Sequence, residues 1–555
     1  NVWIGTSLSG LRFVDNTTHR VQTIQGMQLD NGDVLMNDIF SVFVDDNNGL
    51  WVGTLFQGLC YYHPGIRRFS LIQTVKGKGS MTSENVRCFL EEKNGSLLIG
   101  TAYGLFRFNP VTETTEAVFP QLANEFCIAL CKDSKQRIWA STYLGGFYCI
   151  EGNNIKNYKW NKPSVTDQGY NNARYLYEDP QGRYWVSINN GLAEFFPETG
   201  NFSLLSEKHP KIAYHKLIYE IYPVDDNTLG MLSESGIFFY NTLTDSVYIP
   251  EIDTPNSSEY IKNTRYYCVF TDSRSLRWMA TERQLNVWDA KNQKMYSLTI
   301  DNGLPSNTIS KILEDDSAVI WASTANGISK IKVELNNDEY VFSITNFGPA
   351  DGLQSGKFYG QSGFKSKDGT FYFGGVHGFN YFKPSKIQYN TQTRVPVFTA
   401  FSLFNSLVKT GDTINKRILL SQPINVTKEI RLNHHENFIS IDFAGLNYVQ
   451  PSQTFFKYKL ENFDQDWTEI VTNGAGRVTY TGLRPGMYRL MVYTANNDRR
   501  WGNEPAILLI IVKPPFWATT MAYLLYSMLG IILIIYTIRR IELKNRKKWE
   551  LQQRE

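Results

Sequence analysis

The chain has little of what metal-dependent or nucleophilic catalysis needs. Its seven histidines are His19, His63, His209, His215, His377, His434 and His435, and none lies in a His-Glu-x-x-His zinc motif. No Gly-x-Ser-x-Gly elbow occurs, so a serine hydrolase of that type is excluded. Only six cysteines are present, with no Cys-x-x-Cys pair. Cys88, Cys127 and Cys268 sit in apolar runs and read as small core residues rather than ligands or disulfide partners. A net charge of +3 over 555 residues gives no basis for nucleic-acid binding. No cofactor and no metal is expected. Long apolar runs are also missing, with one exception near the C-terminus.

What the chain does have is a repeat. An aromatic or large apolar residue is followed by small or polar residues, then mostly by Gly and an apolar residue. Copies read WIGTSLSGL, WVGTLFQGL, LIGTAYGL, WASTYLGGF, WVSINNGL, LGMLSESGI, WMATERQL, WASTANGI and YFGGVHGF. They start at Trp3, Trp51, Leu98, Trp139, Trp185, Leu229, Trp278, Trp321 and Tyr372. Spacings of this size are those of four-stranded propeller blades. A carboxylate stands six residues ahead of several anchors: Asp45, Glu92, Asp133, Asp179, Asp272 and Asp315. Its recurrence points to a structural turn, not to the single local carboxylate pair of a glycosidase.

One ring rarely holds nine blades. The last seven anchors therefore predict one seven-bladed β-propeller over 79–392. The first two predict the C-terminal blades of a preceding, truncated propeller over 1–78, with the polar stretch Gln73 to Glu84 as junction. Residues 393–513 carry short strand-like runs at closer spacing and predict an immunoglobulin-like β-sandwich. Phe516 to Ile538 has no charge and is long enough to cross a bilayer as a helix. The Lys- and Arg-rich stretch 539–555 after it places that side in the cytoplasm by the positive-inside rule. The fold class is all-β, followed by one transmembrane α-helix. The sequence thus predicts a single-pass membrane protein, outside the cytoplasm before Phe516, with a charged cytoplasmic helix that leads toward further domains.

Several segments also carry a family resemblance. YKLENFDQDWTEI, VTYTGLRPGMYRLMVYTANNDRRW and PPFWATTMAYLL resemble the triple-tyrosine domain of Bacteroidetes hybrid two-component sensors. Tyr458, Tyr480 and Tyr488 match its signature tyrosines. DNGLPSNTISKILEDDSAVIWASTANGI resembles the two-component-regulator propeller repeat. The resemblance implies a periplasmic glycan sensor that signals through the membrane to a histidine kinase and controls polysaccharide utilisation. It implies a homodimer through the triple-tyrosine domain and the membrane helix. No phosphoacceptor box or ATP loop follows Ile538, so kinase activity is implied for a parent protein and no enzyme activity for this segment. The rival expectation is a membrane-tethered propeller lyase or glycosidase.

One constellation suggests a ligand site. The segments that feed the first strand of a blade converge near the propeller axis. Three read Asn-x-Arg: Asn85-Val86-Arg87, Asn172-Ala173-Arg174 and Asn263-Thr264-Arg265. Arg87 and Arg174 stand five residues before their carboxylates, and Arg265 seven, which the strand period of two leaves on one face. Three guanidiniums at one mouth suit a carboxylate or sulfate. Tyr170, Tyr266 and Tyr359 lie near enough in sequence to stack on sugar rings, and an anionic oligosaccharide is the expected ligand. The competing expectation pairs each arginine with an acidic side chain of a neighbouring blade.

Overall fold

The computed structural model describes residues 2–7, 10–14, 21–24, 38–46, 49–63, 68–73, 85–160, 172–188, 191–213, 215, 217–249, 265–281 and 283–553. It divides into two compact units, Arg67–Gln388 and a second made of Asn1–Ile66 with Tyr389–Glu555.

The first unit is a propeller of seven four-stranded antiparallel sheets. The inner strands are Val86–Glu91, Cys127–Lys132, Tyr175–Glu178, Ile218–Pro223, Tyr266–Thr271, Ile309–Glu314 and Phe358–Lys365. The inner strand of blade 7 packs against that of blade 1, which closes the ring. The closing strand comes from upstream. Ser70–Ile72 pairs with Gly378–Phe382 and forms the outer strand of blade 7. This strand lies before the boundary at 78/79 expected from anchor spacing, because three residues are too few to carry a blade signature. Most of the expected junction falls outside the described residues.

The repeat is explained by one hydrogen bond. In five blade repeats the anchor Trp Nε1 donates to the carboxylate six residues earlier: Trp51 to Asp45 at 3.0 Å, Trp139 to Asp133 at 2.9 Å and Trp185 to Asp179 at 3.0 Å. Trp278 to Asp272 at 3.0 Å and Trp321 to Asp315 at 2.9 Å complete the set. The second carboxylate oxygen accepts backbone N–H groups of the intervening turn, as Asp272 does from Leu276 at 2.9 Å. A buried indole N–H needs such a partner, and the acid supplies it. Where the anchor is Leu98, Glu92 binds Arg107 instead, at 2.6 Å. The glycine after the anchor permits a tight turn: Gly327 has φ 119°, and a Cβ there would overlap the Phe347 carbonyl oxygen. Four of the six cysteines are buried and all are free thiols.

In the second unit, two three-stranded sheets hold the Trp3 and Trp51 repeats. The sandwich that follows pairs a four-stranded sheet with a five-stranded one. Their facing side chains, among them Phe401, Ile441, Phe443, Phe456, Leu490 and Ile510, form one core. Tyr480 donates to Asp464 at 2.9 Å and Tyr488 to the Arg484 carbonyl at 2.9 Å, while Tyr458 packs on the core edge. The last strand, Ala506–Lys513, leads through Pro514, Pro515 and a single 3-10 turn, Phe516–Ala518, into one helix, Thr520–Gln552. That helix contains a window of mean hydropathy 2.1, long and apolar enough to cross a membrane.

Candidate functional site

Six of the seven inner strands of the propeller begin with a local irregularity. Pairing skips one residue between Val86 and Cys88, Cys127 and Ala129, Ile218 and Glu220, Tyr266 and Cys268, and Ile309 and Lys311. In blade 7 the skip spans Phe358 to Gly363. A bulge of this kind re-aims the side chain of the extra residue. The extra residues include Arg87, Tyr219, Tyr267 and, in blade 7, Tyr359. In blade 3, Arg174 takes this place: its N–H donates to the Ser187 carbonyl at 3.0 Å, just before Tyr175 pairs with Ser187.

Aromatic rings and guanidiniums alternate at this level. Arg87 Cζ lies 3.6 Å from the centroid of the Tyr359 ring and 4.9 Å from that of Phe126. Tyr359 in turn donates its hydroxyl to Asn85 Oδ1 at 2.7 Å. On the other side, the Tyr219 ring lies 5.6 Å from Arg174 Cζ and 5.9 Å from Arg265 Cζ. Arg174 and Arg265 therefore share one ring, and Arg87 sits with a different pair of rings, within electrostatic reach of Arg174. Burial lowers the pKa of Arg87, and the positive charge of Arg174 acts in the same direction. Burial raises the Tyr219 pKa; Arg265 and Arg174 oppose it, and Glu234 adds to it. Among the described residues, no hydrogen-bond partner meets the buried Nε atoms of Arg87 and Arg174 or the Asn172 Oδ1. Such atoms cost free energy unless a ligand or water meets them.

One residue further along these strands, polar contacts join blades that are not neighbours. Lys311 of blade 6 meets Glu220 of blade 4 at 2.9 Å, both largely buried. Burial alone would lower the Lys311 pKa, but Glu220 outweighs it and the net shift is upward. The Gln361 amide donates to the Tyr219 carbonyl across the same space.

Three corrections to the sequence reading follow. Arg265 is not the counterpart of Arg87 and Arg174. It stands seven residues before its carboxylate, as Asn85 and Asn172 do, and the bulge residue of its blade is Tyr267. The period-of-two argument fails because the bulge inserts a residue. Tyr266 takes the place of Val86 and Ile218 and is buried in the core with Leu232, Phe239 and Met279, so it does not line the mouth. Tyr170 and Asn263 lie outside the described residues. Sequence reasoning missed Tyr219 and Phe126. Tyr219 could have been found by counting: it stands five residues before Val224, whose N–H closes the turn that a carboxylate closes elsewhere.

Comparison with known proteins agrees with this architecture. Residues 447–513 match the Y_Y_Y domain. A protein named histidine kinase P4, from Formosa agariphila, is 26% identical over 343 residues, which is 53% of this chain and 24% of that protein. The crystal structure of the extracellular domain of a hybrid two component system from B. thetaiotaomicron superimposes with a TM-score of 0.73 at 21% identity. That match covers 92% of this chain and 66% of the other. The chain therefore spans about a quarter of the curated relative and two thirds of that solved domain. It carries a Y_Y_Y domain and has the fold of a two-component extracellular domain.

Proposed function

We propose that this chain is the extracytoplasmic sensing and transmembrane-signalling portion of a hybrid sensor histidine kinase that controls polysaccharide use. The observation that carries the reading is continuity. The final sandwich strand passes in a few residues into an apolar helix, and the same helix runs on through the basic stretch to Gln552. A displacement of the sandwich has a rigid path to the far side of a bilayer. A tethered enzyme has no use for that path. In this reading the protein lies in the inner membrane with its propeller in the periplasm and pairs with a second copy through the Y_Y_Y domain and the helix. The kinase belongs to the parent protein, as in the relative from Formosa agariphila.

The ligand in this reading is an anionic oligosaccharide seated at the arginine mouth. Its carboxylate or sulfate meets Arg87 and Arg174, and Tyr219 and Tyr359 flank its rings. Asn85 and Asn172 sit one turn of the pattern earlier and orient the feeding segments. Titration calorimetry with sulfated and uronate-bearing oligosaccharides, beside neutral ones, tests the ligand. Binding confined to neutral glycans would sink the anionic assignment. Incubation with the same glycans should release no new reducing ends or unsaturated products, and turnover abolished by one carboxylate substitution would favour the tethered enzyme.

A further inference from the structure

The two hairpin tips and loops beside the start of the long helix form one edge of the sandwich. Asn433 pairs with Lys513, the last residue before the prolines. His434, next in the chain, sets its ring 5.5 Å from Trp517. Asn437 accepts from the Leu483 N–H, Phe404 donates its N–H to the Phe438 carbonyl, and Asn462 donates to the Met487 carbonyl. Phe463 packs edge-on against Tyr480 at 5.4 Å. Loops 404–405, 434–438, 462–467 and 481–486 are therefore neighbours at the end where the chain leaves for the helix.

This edge is aromatic and outward-facing. Phe404 is 51% exposed, Phe463 45%, Met487 62% and Trp517 50%. Phe404 is placed there at a cost. It occupies a two-residue hairpin turn closed by Leu403 and Ser406, and both turn residues are left-handed, Phe404 at φ 49° and Asn405 at φ 61°. Gly, Asn and Asp suit such a turn, and a bulky ring does not. The neighbouring hairpin tip, Asn415-Lys416, is also left-handed at both residues and presents a lysine, and Lys513 adds a second cation. The Asn415 side chain donates to Glu436 at 2.9 Å, which ties that tip to the same edge. Half-exposed aromatics interleaved with Lys are the composition of a surface that lies in a lipid headgroup layer.

From this juxtaposition we infer that the sandwich edge docks on the bilayer surface, with Phe404 and Phe463 inserted among the headgroups and Lys416 and Lys513 meeting lipid phosphates. The occupant follows from continuity. Lys513 and the first helical residue, Thr520, are separated by two prolines and one tight turn, so the edge cannot stand far from the membrane that the helix enters. The inference rests on the reading that Thr520–Gln552 spans a membrane. Docking would fix the tilt of the sandwich against the bilayer and hold its resting orientation.

The test uses the full chain reconstituted in vesicles of phosphatidylethanolamine and phosphatidylglycerol. Cys60 and Cys131, the two partly exposed thiols, are replaced by alanine, and the otherwise unsubstituted chain gives the labelling background. Spin labels are attached at Phe404→Cys, Phe463→Cys, Tyr526→Cys and Asn473→Cys. Asn473 is exposed at the opposite end of the sandwich, about 17 Å or more away along the strand Ala475–Tyr480. Collision with oxygen, which partitions into lipid, is compared with collision with a water-soluble nickel chelate. The expected result is a several-fold higher oxygen-to-nickel ratio at Phe404 and Phe463 than at Asn473, with Tyr526 the highest. Labels at Phe404 and Phe463 that behave like Asn473, while Tyr526 reports lipid, would overturn docking and leave the span intact. A Tyr526 label that reports water would overturn the span itself and docking with it. Protection of Phe404 and Phe463 from both reagents would mean that protein covers the edge, which also overturns the inference. Near-ultraviolet circular dichroism of each labelled chain verifies that the sandwich is folded.

Discussion

The two ends of each propeller inner strand follow opposite rules. At one end, in four of the seven blades, the same aspartate recurs, and its oxygens are filled by an indole N–H and turn N–H groups. At the other end the bulge residue changes from blade to blade: Arg87, Arg174, Tyr219, Tyr267, Tyr359. There, two guanidinium Nε atoms are buried with no partner among the described residues. Repetition with every bond made marks what holds the fold. Variation with bonds left unmade marks what is free to meet something else. Charge is spent at the first end and stored at the second.

The comparison can be broken most severely at its satisfied end. Asp272→Ala leaves the Trp278 and Leu276 donors buried without an acceptor and removes the ion pair to Arg274, which keeps its bond to the Ala318 carbonyl. It should cost about 3–5 kcal/mol, the range for stripping one partner from a buried charged network. Calorimetry should show the propeller transition moved far down in temperature while the sandwich transition stays. A shift of the size of an ordinary surface change would contradict the role given to the carboxylate.

The ion pair between blades 4 and 6 should respond next. Lys311→Met leaves Glu220 charged and buried, at a cost of about 3 kcal/mol, whereas Lys311→Met with Glu220→Leu should recover most of it. A double-mutant cycle checks this. Equal losses in the single and double variants would mean that the pair is not coupled across the axis.

At the unsatisfied end, stability and binding should separate. Arg87→Ala and Arg174→Ala remove no carboxylate contact among the described residues, so melting should move little. Each should weaken an anionic oligosaccharide by about 1.5–3 kcal/mol, roughly ten- to a hundred-fold. Arg265→Ala should cost less, because Arg265 is exposed and sits at the asparagine position of its blade. Identical effects for all three would restore the simple three-fold picture that the register denies.

The smallest effect is with pH. Burial pulls the Asp133 pKa up, but hydrogen bonds from Trp139 and Arg137 outweigh it, and the net value lies below the ordinary 3.8. The folded state therefore binds its proton later than the unfolded chain does. The stabilisation is complete at pH values above 3.8 and is lost as pH falls through the lower folded value. Propeller stability should be flat near neutrality and fall only in that acid window. Asp133→Asn should blunt the fall.

Much of this was legible in the residues, and the failures have a physical cause. The Trp–carboxylate spacing reads directly because a hydrogen bond fixes it, and the apolar span and the sandwich tyrosines read for similar reasons. Bulges do not read. A single inserted residue shifts the register and leaves no mark in composition, so Arg265 was equated with the wrong position and Tyr266 was turned outward. Tyr219 was overlooked because its blade has Val224 where five of the other six carry an acid. The edge beside the helix was invisible, since Phe404, Phe463 and Trp517 are far apart in sequence and meet only through the fold.

The strand Ser70–Ile72 has a practical meaning for anyone who cuts this chain. A protein begun at residue 79 would contain every blade signature and still be an open ring. Backbone groups of Phe379, Asn380 and Tyr381 would lose their partners. The slot between Phe347 and Phe382 that Phe69 fills, at 5.0 and 4.6 Å, would empty. An unpaired, aromatic-flanked edge recruits strands from other molecules. Such a piece should precipitate or form swapped chains, while one begun only a dozen residues earlier should stay monodisperse.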